Sequence, residues 1–236
     1  MSGDDTLLSE QLDYYRARAS EYDEWWFRQG RYDRGAEAND AWFAQAAELE
    51  RALERFDPHG DVLELACGTG LWTRHLIKYA NRVIAVDAAP EVLAINRARV
   101  DDARVEYLQR DLFAWAPEPA AFDACVFCFW LSHVPTPRFA RFWETVAGAL
   151  KPDGRVFFID SARSERSTAV DHEQADETDD TQSRRLADGT EFQIVKRYYE
   201  PAALERELAD LGWDCRVDTT GEFFIYGTAT PATGRP

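Results

Sequence analysis

The chain has 236 residues, 45% of them hydrophobic, and 43 acidic side chains against 27 basic ones give a formal net charge of −16. That length and apolar fraction suit one sizeable α/β domain with a decorated edge, and no apolar run reaches the ~20 residues of a membrane span. So acidic a surface repels phosphate backbones and anionic membranes, because nucleic-acid binding draws on clustered Lys and Arg.

In chain order, Leu7 to Arg34 comes first and is rich in aromatics: Tyr14-Tyr15, Tyr22-Asp23 and Trp25-Trp26-Phe27. Their roughly helical spacing predicts a helix laid on a sheet edge. Val62-Leu63-Glu64-Leu65 is a short apolar strand that runs into the turn Ala66-Cys67-Gly68-Thr69-Gly70 and a helical pattern from Leu71 to Tyr79. A second strand, Val83 to Val86, ends on Asp87, and a third, Val105 to Leu108, leads into Asp111-Leu112. The fourth, Phe122 to Trp130, is nearly continuous in apolar residues, as a strand buried on both faces should be. Leu131-Ser132-His133 follows, then a helix from Arg138 to Leu150, the junction Lys151-Pro152-Asp153-Gly154 and a fifth strand, Arg155 to Asp160. Ser161 to Arg197 opens with an acid-rich run that reads as a solvated loop. It closes with two strand-like runs around Asp188-Gly189, a strong hairpin signal. The tail reads as a helix, Glu200 to Leu211, and strands Trp213 to Asp218 and Phe223 to Thr228.

The glycine turn carries the first chemistry. Glycines let the backbone turn tightly and approach a ligand with no Cβ in the way, and Asp87 stands nineteen positions after Gly68. In a doubly wound sheet such a carboxylate reaches the hydroxyls of a ribose lying over the turn. A dinucleotide fold wants a third glycine where Thr73 stands. Glu64 is also badly placed for an anionic pyrophosphate, whereas it suits a ligand carrying an ammonium and a sulfonium. A nucleotide-binding oxidoreductase is therefore disfavoured.

Glu64-Leu-Ala-Cys-Gly-Thr-Gly70 resembles the first motif of the class I S-adenosylmethionine-dependent methyltransferases of small-molecule type, and the resemblance extends over roughly Asp57 to Thr228, minus one insertion. It implies a Rossmann-like, doubly wound, seven-stranded and mostly parallel sheet with an antiparallel last strand. An N-terminal helical cap (1–56), a binding core (57–160), a lid insertion after the fifth strand (161–197) and a closing segment (198–236) are the expected units. The cofactor would be S-adenosyl-L-methionine, with Asp87 and Ala88 at the ribose and Asp111 and Leu112 at the adenine. Glu64, Ala66, Gly68, Gly70 and Phe129 would complete the cofactor site. Tyr14 and Tyr22 would join them from the cap, since a sulfonium against aromatic faces gains ~1–2 kcal/mol when desolvated.

The implied reaction is in-line methyl transfer to a small molecule, with O-methylation favoured and N-, S- or C-methylation, or cofactor binding without turnover, as the alternatives. Phe129-Trp-Leu-Ser replaces the Asn/Asp-Pro-Pro-Tyr turn of enzymes that methylate base amines, so no nucleic-acid partner is expected. Methyl transfer needs alignment of the nucleophile and exclusion of water, and a hydroxyl acceptor gains from a base. His133, after the fourth strand, is the candidate base, with a pKa ordinarily near neutrality, and Asp160 could orient it or hold a substrate hydroxyl. Trp130, His133, Arg184 and Arg185 are the candidate acceptor contacts; the acceptor is expected to be neutral or cationic, or an anion met locally by the two arginines, because the global field opposes anions. Asp171, His172, Glu173 and Asp176 resemble a metal cluster only in composition, and none is expected.

Four cysteines, Cys67, Cys125, Cys128 and Cys215, lie in or beside apolar runs and read as free thiols. Cys125 and Cys128 have a Cys-x-x-Cys spacing, but a strand points them to opposite faces. With an N-terminus that lacks the basic and apolar stretches of a signal peptide, the cytoplasm is the expected compartment. The protein is expected as a monomer or homodimer, with no membrane partner.

Overall fold

The computed structural model describes residues 3–172 and 180–232. The chain opens with α1 (Gly3–Ala17), α2 (Tyr22–Trp26) and α3 (Ala36–Phe56), then alternates through β1 (Gly60–Leu65), α4 (Thr73–Leu76), β2 (Ala80–Asp87), α5 (Pro90–Val100) and β3 (Val105–Gln109). It continues through β4 (Phe122–Cys128), α6 (Thr136–Ala149), β5 (Leu150–Ser161) and a hairpin of β6 (Thr181–Arg185) and β7 (Glu191–Val195). The last elements are α7 (Pro201–Asp210), β8 (Trp213–Thr219) and β9 (Phe224–Pro231).

Seven strands form one sheet in the order β3-β2-β1-β4-β5-β9-β8. β1 pairs in parallel with both β2 and β4, while β9 is antiparallel to β5 and to β8. The chain moves outward from β1 to β3 and then returns to β4, so the order reverses between β1 and β4. A crevice opens at such a point beyond the carboxyl ends of the strands. This is the Rossmann-like methyltransferase fold that the sequence predicts.

Each face of the sheet has its own core, and strand alternation sorts residues between them. Val62, Ala124 and Val126 pack with Trp26, Trp42 and Leu53 on one side; Leu63, Leu65, Cys125 and Phe127 pack with Trp143 and Leu208 on the other. Cys125 and Cys128 accordingly fall on opposite faces, and all four cysteines are free. No helix among the described residues is long and apolar enough to cross a membrane.

Some elements differ from their sequence reading. The helical pattern from Leu71 to Tyr79 holds only the short α4, because its hydrogen bonds alternate between three- and four-residue spacing: His75 N–H donates to Trp72 O and Ile77 N–H to Thr73 O. The Lys151–Gly154 junction is part of β5. Helix α3 falls within the helical cap expected over 1–56, without bounds of its own in the sequence reading, and α5 has no counterpart there. In α3 the buried face is Ala38, Trp42, Ala46, Leu49, Leu53 and Phe56.

Candidate active site

The turn after β1 is held from below. Asn96 of α5 donates to Thr73 Oγ1 at 2.9 Å, and Thr73 in turn donates to Glu64 Oε2 at 2.7 Å. Tyr107 O–H donates to Asn96 Oδ1 at 3.1 Å. Gly70 sits at φ +86°, and a Cβ there would lie 2.5 Å from Asn96 Oδ1, so its lack of a side chain lets α5 close on the turn. Gly68, at φ +51°, has open space where its Cβ would be, and its N–H donates to Asp87 Oδ2 at 3.0 Å. Asp87 also accepts from Ala89 N–H at 3.0 Å, and burial pushes its carboxyl up from the usual carboxylate range. Two non-glycine residues, Ala66 (φ +52°) and Phe129 (φ +59°), adopt left-handed backbone where β1 and β4 end. Such strain is concentrated at ligand sites and costs ~1–3 kcal/mol per residue.

The cap locks onto this turn. Thr69 Oγ1 donates to Asp23 Oδ1 at 2.7 Å, Arg99 Nη1 donates to Thr69 O at 2.8 Å, and Arg99 and Asp23 form an ion pair. Helix α1 packs across the crevice and against β7. Gln11 carries both contacts: Val195 N–H donates to its Oε1 at 2.9 Å, and its Nε2 donates to His133 O at 3.3 Å.

Two cavities lie beneath α1. The larger, about 370 Å³, is walled by Ala66, Gly68, Asp87, Ala88, Asp111 and Leu112 on the sheet side, with Leu8, Gln11 and Leu12 from α1. The smaller, about 70 Å³, is walled by Tyr14, Arg18, Tyr32, Arg184, Lys196 and Tyr198 among others. Tyr15, Tyr22, Phe129 and His133 line both, so the cavities share a wall.

A match to the family described as methyltransferase domain spans residues 62–154. The ubiquinone biosynthesis O-methyltransferase of Xanthomonas axonopodis pv. citri (strain 306) is 30% identical over 168 residues, 70% of this chain and 67% of that one. The Xylella fastidiosa (strain 9a5c) protein of the same name is 36% identical over 102 residues, 41% of this chain and 39% of its own length. A solved structure described as the DhpI-SAM-HEP complex superposes with a TM-score of 0.77 at 41% identity, covering 95% of this chain and 98% of that one. The chain belongs to the S-adenosylmethionine-dependent methyltransferases. Its cofactor is S-adenosyl-L-methionine.

The methyltransferase's own residues fit that cofactor: open space over Gly68, a carboxylate at Asp87 and the apolar Val92 and Leu112 meet in one cavity. Of the residues expected around it, Ala66, Gly68, Asp87, Ala88, Asp111, Leu112, Phe129 and Tyr22 line this cavity. Glu64 and Gly70 do not; they lie beneath the turn and shape it through Thr73 and Asn96. Tyr14 lines the smaller cavity instead, because α1 turns it toward the hairpin, where it packs with Leu186 and Ile194.

The residues expected at the acceptor also divide. Trp130 lines the larger cavity, its ring 5.4 Å from that of Phe113. Arg184 lines the smaller cavity, whereas the neighbouring Arg185 points the other way off β6 and pairs with Glu191 on the exposed face. Asp160 is fully buried and lines neither cavity. It accepts from Ser132 N–H at 2.8 Å and Ser161 N–H at 2.7 Å, with Lys196 Nζ at 3.4 Å. His133 is on the shared wall, with both ring nitrogens committed. Val195 O, 2.6 Å from Nδ1, can only accept, so Nδ1 carries the proton and Nε2 accepts from Tyr15 O–H at 2.7 Å. Burial, and then the Lys196 charge, push the His133 imidazolium well below its usual range, so the ring is neutral.

Arg18 and Lys196 are cavity residues that the sequence reading does not single out. Lys196 had a signal, being one of only three lysines and following the apolar pair Ile194-Val195. Arg18 had none. Of the acid-rich run, Asp171 pairs with Arg31, and His172 Nε2 lies 2.6 Å from Arg31 Nη2, while Glu173 and Asp176 lie outside the described residues. Among the described residues no three His, Cys, Asp or Glu side chains converge as a metal site.

Proposed function

We infer that this methyltransferase O-methylates a small molecule held in the smaller cavity. The observation that carries this reading is the shared wall: Tyr15, Tyr22, Phe129 and His133 border both compartments, so a methyl donor in one meets an acceptor in the other. A space of about 70 Å³ suits a small acceptor. The smaller cavity presents N–H and O–H donors from Arg18, Arg184, Lys196, Ser161 and Tyr198, a set that suits oxygen lone pairs and repels an ammonium. O-methyl transfer is also the activity in the name of the Xanthomonas relative, and the DhpI complex pairs SAM with a second ligand, HEP.

The cofactor supplies an electrophilic methyl group when bound. Asp87 would hold the ribose, Asp111 and Leu112 the adenine, and Ala66, Gly68 and Phe129 the methionine end beside Tyr22. Tyr15 and His133 form a fixed partition that aligns the two reactants, which accounts for most of what methyl transfer asks of a protein. Helix α1 walls both cavities and the β6–β7 hairpin walls the smaller one, which would limit the access of water. In this reading segment 161–197 supplies a substrate cover, 1–56 the cap, and 57–160 with 198–236 the binding core.

The test is a panel of phenols, carboxylic acids, phosphonic acids and amines with methyl-labelled S-adenosylmethionine, read by mass spectrometry. O-methyl products are expected. Products methylated only at nitrogen, sulfur or carbon would overturn the reading, as would tight S-adenosylhomocysteine binding with no turnover across the panel.

A further inference from the structure

We propose that Tyr15 is a catalytic residue of the methyl transfer, its hydroxyl oxygen accepting C–H contacts from the sulfonium methyl group, with His133 as the positioning residue that aims it. This rests on the shared-wall reading above and names what the wall does.

The polar atoms of that wall are the first argument. Tyr15, Tyr22, Phe129 and His133 border both cavities. His133 has nothing left to offer a methyl group. Its Nδ1–H is given to Val195 O at 2.6 Å, and its Nε2 lone pair accepts from Tyr15 O–H at 2.7 Å. Phe129 has no polar side-chain atom, and Tyr22 turns its ring to Arg18, whose guanidinium lies 5.0 Å from the ring centroid. Tyr15 is different. Its one hydroxyl proton is directed at His133, so toward the cavities its oxygen can only accept. Burial pushes this hydroxyl well above its usual range, and the proton stays on oxygen. The aim is fixed from three sides. Gln11 Nε2 donates to His133 O at 3.3 Å, and Gln11 Oε1 accepts from Val195 N–H at 2.9 Å. Helix α1, strand β7 and the turn after β4 thus hold the Tyr15 and His133 rings edge to face, 5.3 Å apart.

Charge is the second argument. The sulfonium is a cation, and the neighbouring cavity is lined by Arg18, Arg184 and Lys196, with no carboxylate in that lining. Lone pairs on the dividing wall are therefore the local negative potential that a methyl group at the wall can meet. Donation to a neutral imidazole polarises the Tyr15 O–H bond and raises the electron density left on oxygen. A C–H···O contact there holds the methyl group in line between the two cavities, the alignment that the transfer needs. Tyr15 gains and loses no proton in the step.

The test is calorimetric titration of the full chain with S-adenosylmethionine and S-adenosylhomocysteine, which differ by the methyl group and its charge. It is paired with the proton resonance of an isotope-labelled methyl group on bound S-adenosylmethionine. Tyr15→Phe keeps the ring and removes the oxygen. It should weaken S-adenosylmethionine about two- to fivefold, leave S-adenosylhomocysteine unchanged and move the methyl resonance upfield. His133→Asn keeps an N–H for Val195 O but removes the acceptor of the Tyr15 proton, so it should move the affinity ratio and the resonance the same way by less. Equal losses for both ligands in Tyr15→Phe, or an unchanged ratio and resonance, overturn the role of Tyr15 and leave O-methylation to the product panel. An effect in Tyr15→Phe with none in His133→Asn overturns the positioning role of His133. Failure of the unaltered protein to bind either ligand removes the underlying reading instead.

Discussion

Burial pushes the Glu64 carboxyl up to about 8, against the pull of the Thr73 hydroxyl, so near neutrality much of it is protonated. An unfolded glutamate titrates near ~4.3. The folded chain therefore holds this proton more tightly than the unfolded chain does, and the stability it contributes is complete below about pH 4. That contribution is lost as pH rises toward 8, to a total of roughly 3–5 kcal/mol. Glu64→Gln keeps a hydrogen-bond acceptor for Thr73 and carries no titratable proton. Urea unfolding of the cofactor-free protein from pH 5 to 9 should show the parent losing stability relative to the variant across that range; parallel curves would mean that Glu64 titrates normally. The motif around Glu64 was legible because glycine spacing and a strand-end carboxylate are local signals. What could not be read was that Glu64 faces inward to Thr73, since that depends on how α4 folds back beneath the turn after β1. Arg18 was illegible for the same reason, its tyrosine surroundings coming from α1, α2 and the turn that holds Tyr32.

At the scale of elements, strands β1, β2, β4 and β5 announce themselves because burial on both faces makes their apolar runs nearly continuous. The β6–β7 hairpin was legible from Asp188-Gly189, where Gly189 adopts φ +91° and Asp188 Oδ1 accepts from Thr190 N–H at 2.9 Å. Helix α5 was not, because only Val92, Leu93 and Asn96 are buried along it and no sustained apolar stripe marks it. The placing of α1 over the crevice is likewise a tertiary fact, resting on Gln11 and on Glu10, whose Oε1 accepts from Gln193 N–H at 2.7 Å. Gln11→Ala leaves the buried Val195 amide without its acceptor, a cost of ~1–3 kcal/mol. Hydrogen exchange should then quicken at least tenfold at Val195 and Gln193 while the amides of β1 and β4 keep their protection. Equal acceleration in the central strands would show that the cover and the sheet open together.

Over the whole molecule, an acidic exterior surrounds a cationic pocket. The net charge is −16, yet the smaller cavity is lined by Arg18, Arg184 and Lys196. S-adenosylmethionine carries one net positive charge at neutral pH, so the long-range field draws it in, whereas an anionic acceptor meets repulsion until it reaches the pocket. Salt screens the long-range field over a Debye length of ~10 Å at 0.1 M but acts far less on buried pairs. The two reactants should therefore respond to ionic strength with opposite signs. Between ~20 and ~200 mM salt, kcat/KM for the cofactor should fall and kcat/KM for an anionic acceptor should rise, each by about two- to fivefold through steering. A neutral acceptor, by contrast, would leave the second slope flat. Steady-state kinetics with each reactant varied in turn distinguishes the cases, and a fall in both constants would mean that the pocket's own field extends beyond its mouth and dominates capture of the acceptor.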